Sequence, residues 1–145
     1  GYVRAGLATG CGPAVVEPNC VAEQRCGAGA RPAVIGSAMY DLPSYAIQRP
    51  TQRGLVVDPD QQQGVWEAVL ARLPGLEPGD CGVLATQAPF APERSRREVE
   101  EILFEGLGFR EACVLAGPPL ALHSPGVLAK LGGGPCCTVL DLGFS

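Results

Sequence analysis

Leu55-Val56-Val57 runs straight into Asp58-Pro59-Asp60-Gln61, and this junction constrains the fold more than any other stretch. Three apolar residues suited to a strand end where a helix start begins. Asp58 is a natural N-cap, because its carboxylate can accept from a backbone N–H that the first turn leaves unpaired. Pro59 fits the first helical position, where no N–H is needed, and Gln61 completes a capping box. The spacing predicts a helix to about Leu73, with Val65, Trp66, Val69, Leu70 and Leu73 on one face. Trp66 on that face reads as core rather than as a ligand platform. Pro74-Gly75 stops the helix.

The same alternation continues along the chain. Residues 81–86 read as a buried strand, Pro89 to Pro92 as a bend, and Pro92 as the opening of a second helix. In that helix Val99, Ile102, Leu103 and Leu107 form the apolar stripe. Arg94, Arg96, Arg97, Glu98, Glu100 and Glu101 form a solvated face with local ion pairs. Gly106 and Gly108 end it, and residues 112–116 supply another strand. Pro118-Pro119 suits a third helix start, with Leu120, Leu122, Val127 and Leu128 available for burial. Gly132-Gly133-Gly134-Pro135 is a turn before a final strand. Nearer the start, residues 2–7, Ala14-Val15-Val16 and Ala33-Val34-Ile35 are strand candidates, whereas 17–32 and 40–53 read as irregular loops. Strand, helix, strand, helix, strand, helix, strand argues an α/β fold with a largely parallel sheet.

With 145 residues and 46% hydrophobic residues, the chain holds one domain's worth of core. Gly 20 and Pro 14 raise the question of disorder, which the periodic apolar segments answer for most of the length. A formal charge of −4 leaves no footprint for bulk nucleic-acid binding. No run approaches the roughly 20 apolar residues of a membrane span. The cysteines are Cys11, Cys20, Cys26, Cys81, Cys113, Cys136 and Cys137. None stands in a Cys-x-x-Cys spacing, so they read as reduced packing thiols and not as a zinc site. His123 is the only histidine and reads as a helix residue, not a base.

The chain closes on Cys136-Cys137-Thr138-Val139-Leu140-Asp141-Leu142-Gly143-Phe144-Ser145. An apolar strand running into an acid, a glycine and a hydroxyl suits a phosphate loop. Gly143 lets backbone N–H groups approach an anion and Ser145 can donate to it. Asp141 can hold the water shell of a Mg²⁺. Asp141, Gly143 and Ser145 are therefore the candidate phosphate-binding residues, at a strand end of the kind where α/β sheets bind ligands.

Taken in order, these segments resemble the actin family over nearly the whole chain. Residues 1–8 resemble the strand after the family's first phosphate loop, and Ala14-Val15-Val16-Glu17-Pro18-Asn19 the turn that follows. Pro50-Thr51-Gln52-Arg53-Gly54-Leu55-Val56-Val57-Asp58 resembles the entry into the helix that carries Trp66. Thr86-Gln87-Ala88-Pro89-Phe90 with Pro92 resembles its Thr-Glu-Ala-Pro segment, and Ile102-Leu103-Phe104-Glu105 its next helix. Leu140-Asp141-Leu142-Gly143 resembles the second phosphate loop, and this resemblance makes Asp141, Gly143 and Ser145 the candidate nucleotide-binding residues. The resemblance implies the first half of an actin-like ATPase (ribonuclease H-like) fold, with a mixed or parallel sheet and flanking helices. It implies a partial domain over 1–145 with an irregular insertion around 17–53 and both termini cut. Departures from the family pattern bear on activity. Gln87 replaces the glutamate, and Gly117 stands where actin places the glutamine that positions the attacking water. Phe144 stands where actin has a second acid near the metal, and Ser145 replaces a glycine. Without a water-positioning side chain, hydrolysis is expected to be slow or absent.

Within the family the pattern is similar to the sixth actin-related subfamily. The shared marks are Asn19-Cys20, Gln52-Arg53-Gly54, Ala116-Gly117 with His123, and Cys136-Cys137 before the Asp141 loop. That resemblance implies a nuclear, non- or weakly-hydrolysing structural subunit of a chromatin remodeller that exchanges a variant histone into nucleosomes. It implies protein subunits as direct partners, nucleosome or variant histone as indirect ones, and ATP with Mg²⁺ as the cofactor. Homopolymers, membranes and sequence-specific nucleic acid are not expected. The alternative is a cytoskeletal actin-like ATP-binding protein that forms or caps filaments.

Overall fold

The computed structural model describes residues 1–24, 33–41, 44–124, 126 and 138–140. Helix α1 (Pro59–Leu70) organises it. Asp58 is extended and its side chain accepts from the Gln61 N–H at 3.0 Å, as an N-cap should. The other half of the capping box is not made. The Gln61 amide instead reaches Gln48, and the Asp58 N–H donates to the Pro50 carbonyl at 3.2 Å.

Around α1 lie short strands, β1 (Tyr2–Ala5), β2 (Val15–Pro18), β3 (Val21–Gln24), β4 (Val34–Ile35), β5 (Tyr45–Gln48), β6 (Thr51–Gln52), β7 (Leu55–Val56), β8 (Gly82–Gln87) and β9 (Glu111–Ala116). Among the described residues they form four sheets with five ladders. β1 pairs with β2, β4-β3-β5 make a three-stranded sheet, β6 pairs with β7, and β8 pairs with β9. The expected largely parallel sheet is corrected: among the described residues only β8–β9 is parallel, and the other ladders are antiparallel. The reason lies in the connections. Parallel pairing needs a long crossover, and among the described residues the connection 88–110 supplies one, helix α2 (Glu93–Glu101). Arg53 and Gly54 both have positive φ, 50° and 77°, the geometry of a two-residue hairpin turn that forces β6 and β7 antiparallel.

The two expected loops are corrected as well. Residues 17–24 carry the end of β2 and all of β3, and 45–52 carry β5 and β6. Pro18-Asn19 and Pro50 pointed to irregular backbone, but both prolines sit at strand margins, where a missing N–H breaks no ladder.

Two core clusters flank α1. Val65, Val69 and Leu73 pack with Val15 and Val21 on one side. Trp66 and Leu70 face the second cluster of Val99, Leu103, Phe109 and Val114. Each buried aliphatic side chain contributes about 1.5–3 kcal/mol, so α1 is held from two directions. The core role read for Trp66 is thus observed. A third, smaller cluster of Cys20, Ala22 and Met39 belongs to the three-stranded sheet.

Helix α2 carries its ion pairs where the spacing placed them: Arg94–Glu98, Arg96–Glu100 and Arg97–Glu93. It continues into a π turn (Ile102–Gly106), with the Leu107 N–H donating to the Ile102 carbonyl at 2.8 Å. Gly108, at φ 74°, then reverses the chain into β9. The strand at 82–87 is not fully buried as read. Its residues alternate between exposed and half-buried, leaving Leu84, Cys113 and Leu115 on an open face. Among the described residues the third helix shows as a single turn, α3 (Gly117–Leu120), followed by a 3₁₀ turn at Ala121–His123 with His123 exposed; Val127 and Leu128 lie outside the described residues. Thr138–Leu140 has no regular secondary structure.

Candidate functional site

The parallel pair defines the edge where a ligand site belongs. β8 and β9 run in register from Gly82 opposite Glu111 to Gln87 opposite Ala116. Their carboxyl ends therefore lie side by side, with Gln87-Ala88 leaving one strand and Gly117 leaving the other. In α/β sheets this edge is where ligands sit.

Three features shape the edge. The side-chain oxygen of Gln87 is buried and has no hydrogen-bond partner among the described residues. An orphaned acceptor of this kind is costly and calls for a donor. The β6–β7 hairpin closes on the β8 exit, since a Cβ at Gly54 would lie 3.0 Å from the Ala88 Cβ. Beyond Ala88 and Pro89 the chain bends through Phe90, which has φ 60° and a fully exposed ring. On the β9 side Gly117 opens α3 with no side chain directed to the edge. A Cβ there would meet the Thr86 Cβ at 3.9 Å, an ordinary contact. Among the described residues, therefore, space does not impose the glycine.

Asp141, Gly143 and Ser145 lie outside the described residues, as do Phe144, Cys136 and Cys137. The structure brings together Thr86, Gln87 and Gly117 and says nothing of the loop read as their phosphate-binding partner. Among the described residues no group of three or more His, Cys, Asp or Glu side chains could hold a metal ion.

A groove of about 570 Å³ runs between α1 and the α2–π-turn segment, lined by Asp60, Gln63, Glu98, Glu101 and Glu105 among others. It does not suit a polyphosphate. Carboxylates on facing walls repel an anion, and among the described residues only Glu98 is paired there, with Arg94. The carboxyl edge of β8–β9 remains the better candidate.

Sequence reasoning found Gln87 and Gly117 by resemblance but not the burial of the Gln87 oxygen, which has no local signature. It also missed Glu17, buried within β2. Glu17 accepts from the Ser37 backbone N–H at 2.7 Å and pairs with Arg72. The Ser37 N–H, and after it the Arg72 guanidinium, hold the Glu17 carboxyl below the usual glutamate range, against a burial cost that acts upward. Burial likewise pushes the Cys20 thiol up, in keeping with a packing cysteine beside the Met39 sulfur at 3.5 Å.

Comparison with known proteins follows the same line. The family model described as Actin matches residues 1–145. Actin-related protein 6 of Oryza sativa subsp. indica is 29% identical over 150 residues, covering 100% of this chain and 34% of that protein. Actin-related protein 6 of Arabidopsis thaliana is 28% identical over 155 residues, covering 100% of this chain and 36% of that protein. Actin-related protein 2 of Acanthamoeba castellanii is 26% identical over 136 residues, covering 88% and 35%. The chain spans about a third of the length of these relatives, less than the half that the resemblance suggested. With a parallel pair whose carboxyl edge is set by Gln87 and Gly117, and with the family match running from Gly1 to Ser145, the chain belongs to the actin family and carries part of an actin-like ATPase fold.

Proposed function

We propose that this chain is part of a structural actin-related subunit of a chromatin remodeller that exchanges a variant histone into nucleosomes. The subunit binds ATP with Mg²⁺ and turns it over slowly or not at all. Gly117 is the observation that carries the reading. It follows the carboxyl end of β9, meets only an ordinary contact at Thr86 among the described residues, and supplies no side chain. Phosphoryl transfer depends on positioning the attacking water, so an edge without that group favours holding nucleotide over hydrolysing it. The similarity to Actin-related protein 6 of rice and Arabidopsis supports the branch of the family. Asp141, Gly143 and Ser145 are the residues we assign to the nucleotide.

Affinity purification of the full-length protein from nuclei, with identification of the subunits that come with it, tests the role. Recovery of a remodelling ATPase together with variant-histone chaperones is the expected result. Recovery of filament or capping components in their place overturns it in favour of a cytoskeletal role.

A further inference from the structure

The three-stranded sheet β4-β3-β5 stands apart from the rest of the chain. It shares no ladder with any other described strand, and it buries its own cluster of Cys20, Ala22 and Met39 with Tyr45 against it. These are the attributes of a unit that opens on its own. Among the described residues only Val21 and Ile35 take it into the apolar cluster on α1. The other described contacts of the seam include two amide pairs, Gln48 with Gln61 and, just before β3, Asn19 with Gln62.

Glu17 sits at the root of this seam and is only 6% exposed. One carboxylate oxygen accepts from the Ser37 N–H, in the turn that leaves β4, and the other from Arg72, just beyond α1. Gly36 shapes the pocket. Its φ is 68°, its N–H donates to the Cys20 carbonyl at 3.2 Å, and a Cβ there would lie 2.6 Å from the carboxylate. One buried anion thus has a partner on the sheet side and a partner on the helix side.

We propose that Glu17 is a latch that holds the three-stranded sheet against the end of α1, and that losing its Arg72 partner lets this sheet open as a unit while β8–β9 stays folded. The physical reason is the cost of an unpaired buried charge. Without Arg72 the carboxylate is left desolvated and half-satisfied. The least costly relief is for the turn at Gly36-Ser37 to lift and admit water. The amide pairs of the seam then exchange their partners for water at little net cost.

Amide hydrogen exchange on the full-length protein, read by mass spectrometry, tests the latch. In Arg72→Ala the amides of 21–24, 34–41 and 45–48 are expected to exchange roughly 10-fold faster or more, as loss of a charge-assisted bond implies. Those of 82–87 and 111–116 should stay within about twofold. Arg72→Lys, which keeps the charge, should restore most of the protection. Glu17→Gln removes the charge and keeps the shape, and should give a smaller rise confined to the same segments. Unchanged exchange in the sheet, or an equal rise in β8–β9, overturns the proposal.

Discussion

Asn19 and Gln62 face each other as a reciprocal amide pair. The Asn19 side-chain N–H donates to the Gln62 oxygen at 3.0 Å, and the Gln62 N–H donates back to the Asn19 oxygen at 3.2 Å. Gln62 is 1% exposed and lies on α1 beside the apolar stripe, where a polar residue would otherwise be a liability. The pair joins the segment between β2 and β3 to the helix. Asn19→Ala should cost about 2–3 kcal/mol, because it strands a fully buried amide. Gln62→Leu should cost about 1–2 kcal/mol, since Asn19 is only half-buried and water can reach it. The double variant should lose less than the sum, with a coupling of about 1–2 kcal/mol. Urea denaturation of the full-length protein measures this, and strictly additive losses would sink the pairing.

Glu17 makes stability depend on pH in a defined direction. Its folded carboxyl titrates below the ordinary value of 4.5, because the Ser37 N–H and Arg72 favour the charged form. A group depressed in this way contributes stability that is fully present above its unfolded value. That contribution is lost as pH falls through the folded value. The window therefore lies below about pH 4.5. Denaturation midpoints of the wild type and Glu17→Gln should converge as pH drops through it and run parallel above pH 6. A gap that persists unchanged in acid would show that the Glu17 charge is not involved.

Gly117 should accept a glutamine. Its neighbour Thr86 stands at ordinary contact distance, and its φ is not in the left-handed region. If the missing side chain limits turnover, Gly117→Gln in the full-length protein should raise phosphate release from Mg²⁺-ATP roughly 10- to 100-fold. Nucleotide affinity and melting temperature should hardly change. A folded variant whose turnover stays at the wild-type level would place the block elsewhere, with Phe144 and Ser145 next in line.

Local chemistry was legible in the sequence, and long-range polar contacts were not. Asp58 and Pro59 announce α1, and the Arg and Glu spacing of 93–100 announces three ion pairs, because each partner lies within one or two turns. Strand direction was misread because alternation alone does not reveal how a connection runs. A two-residue turn at Arg53-Gly54 decides β6–β7, and only its positive φ values make that plain. Residues 17–24 read as loop because Pro18-Asn19 and the glycines at 27 and 29 outweigh one short apolar run. Glu17 with Arg72 and Asn19 with Gln62 join residues far apart in the chain. No window of sequence holds both members of either pair. For the candidate site, resemblance singles out Gln87 and Gly117 only as departures from the family pattern, and the structure puts them at the carboxyl edge of β8 and β9. The orphaned Gln87 oxygen emerged only from packing.

Gly36 and Gly106 look alike on distance and should behave differently. A Cβ would lie 2.6 Å from the Glu17 carboxylate at Gly36 and 2.5 Å from the Gln63 amide at Gly106. Gly36 has φ 68°, where an L side chain is strained, and the atom it would strike is fixed by Ser37 and Arg72. Gly36→Ala should therefore cost about 2–4 kcal/mol, combining about 1–2 kcal/mol of left-handed strain with damage to a buried charged contact. Gly106 has no such φ, and the Gln63 amide it would strike is the end of a flexible side chain bonded, among the described residues, only to exposed Glu67. That amide can swing away. Alanine also suits helical backbone better than glycine does, by about 1 kcal/mol. Gly106→Ala should stay within about 0.5 kcal/mol of wild type. Thermal or urea denaturation of the two variants side by side checks this, and equal losses would mean that the Gln63 side chain is held as firmly as the Glu17 carboxylate.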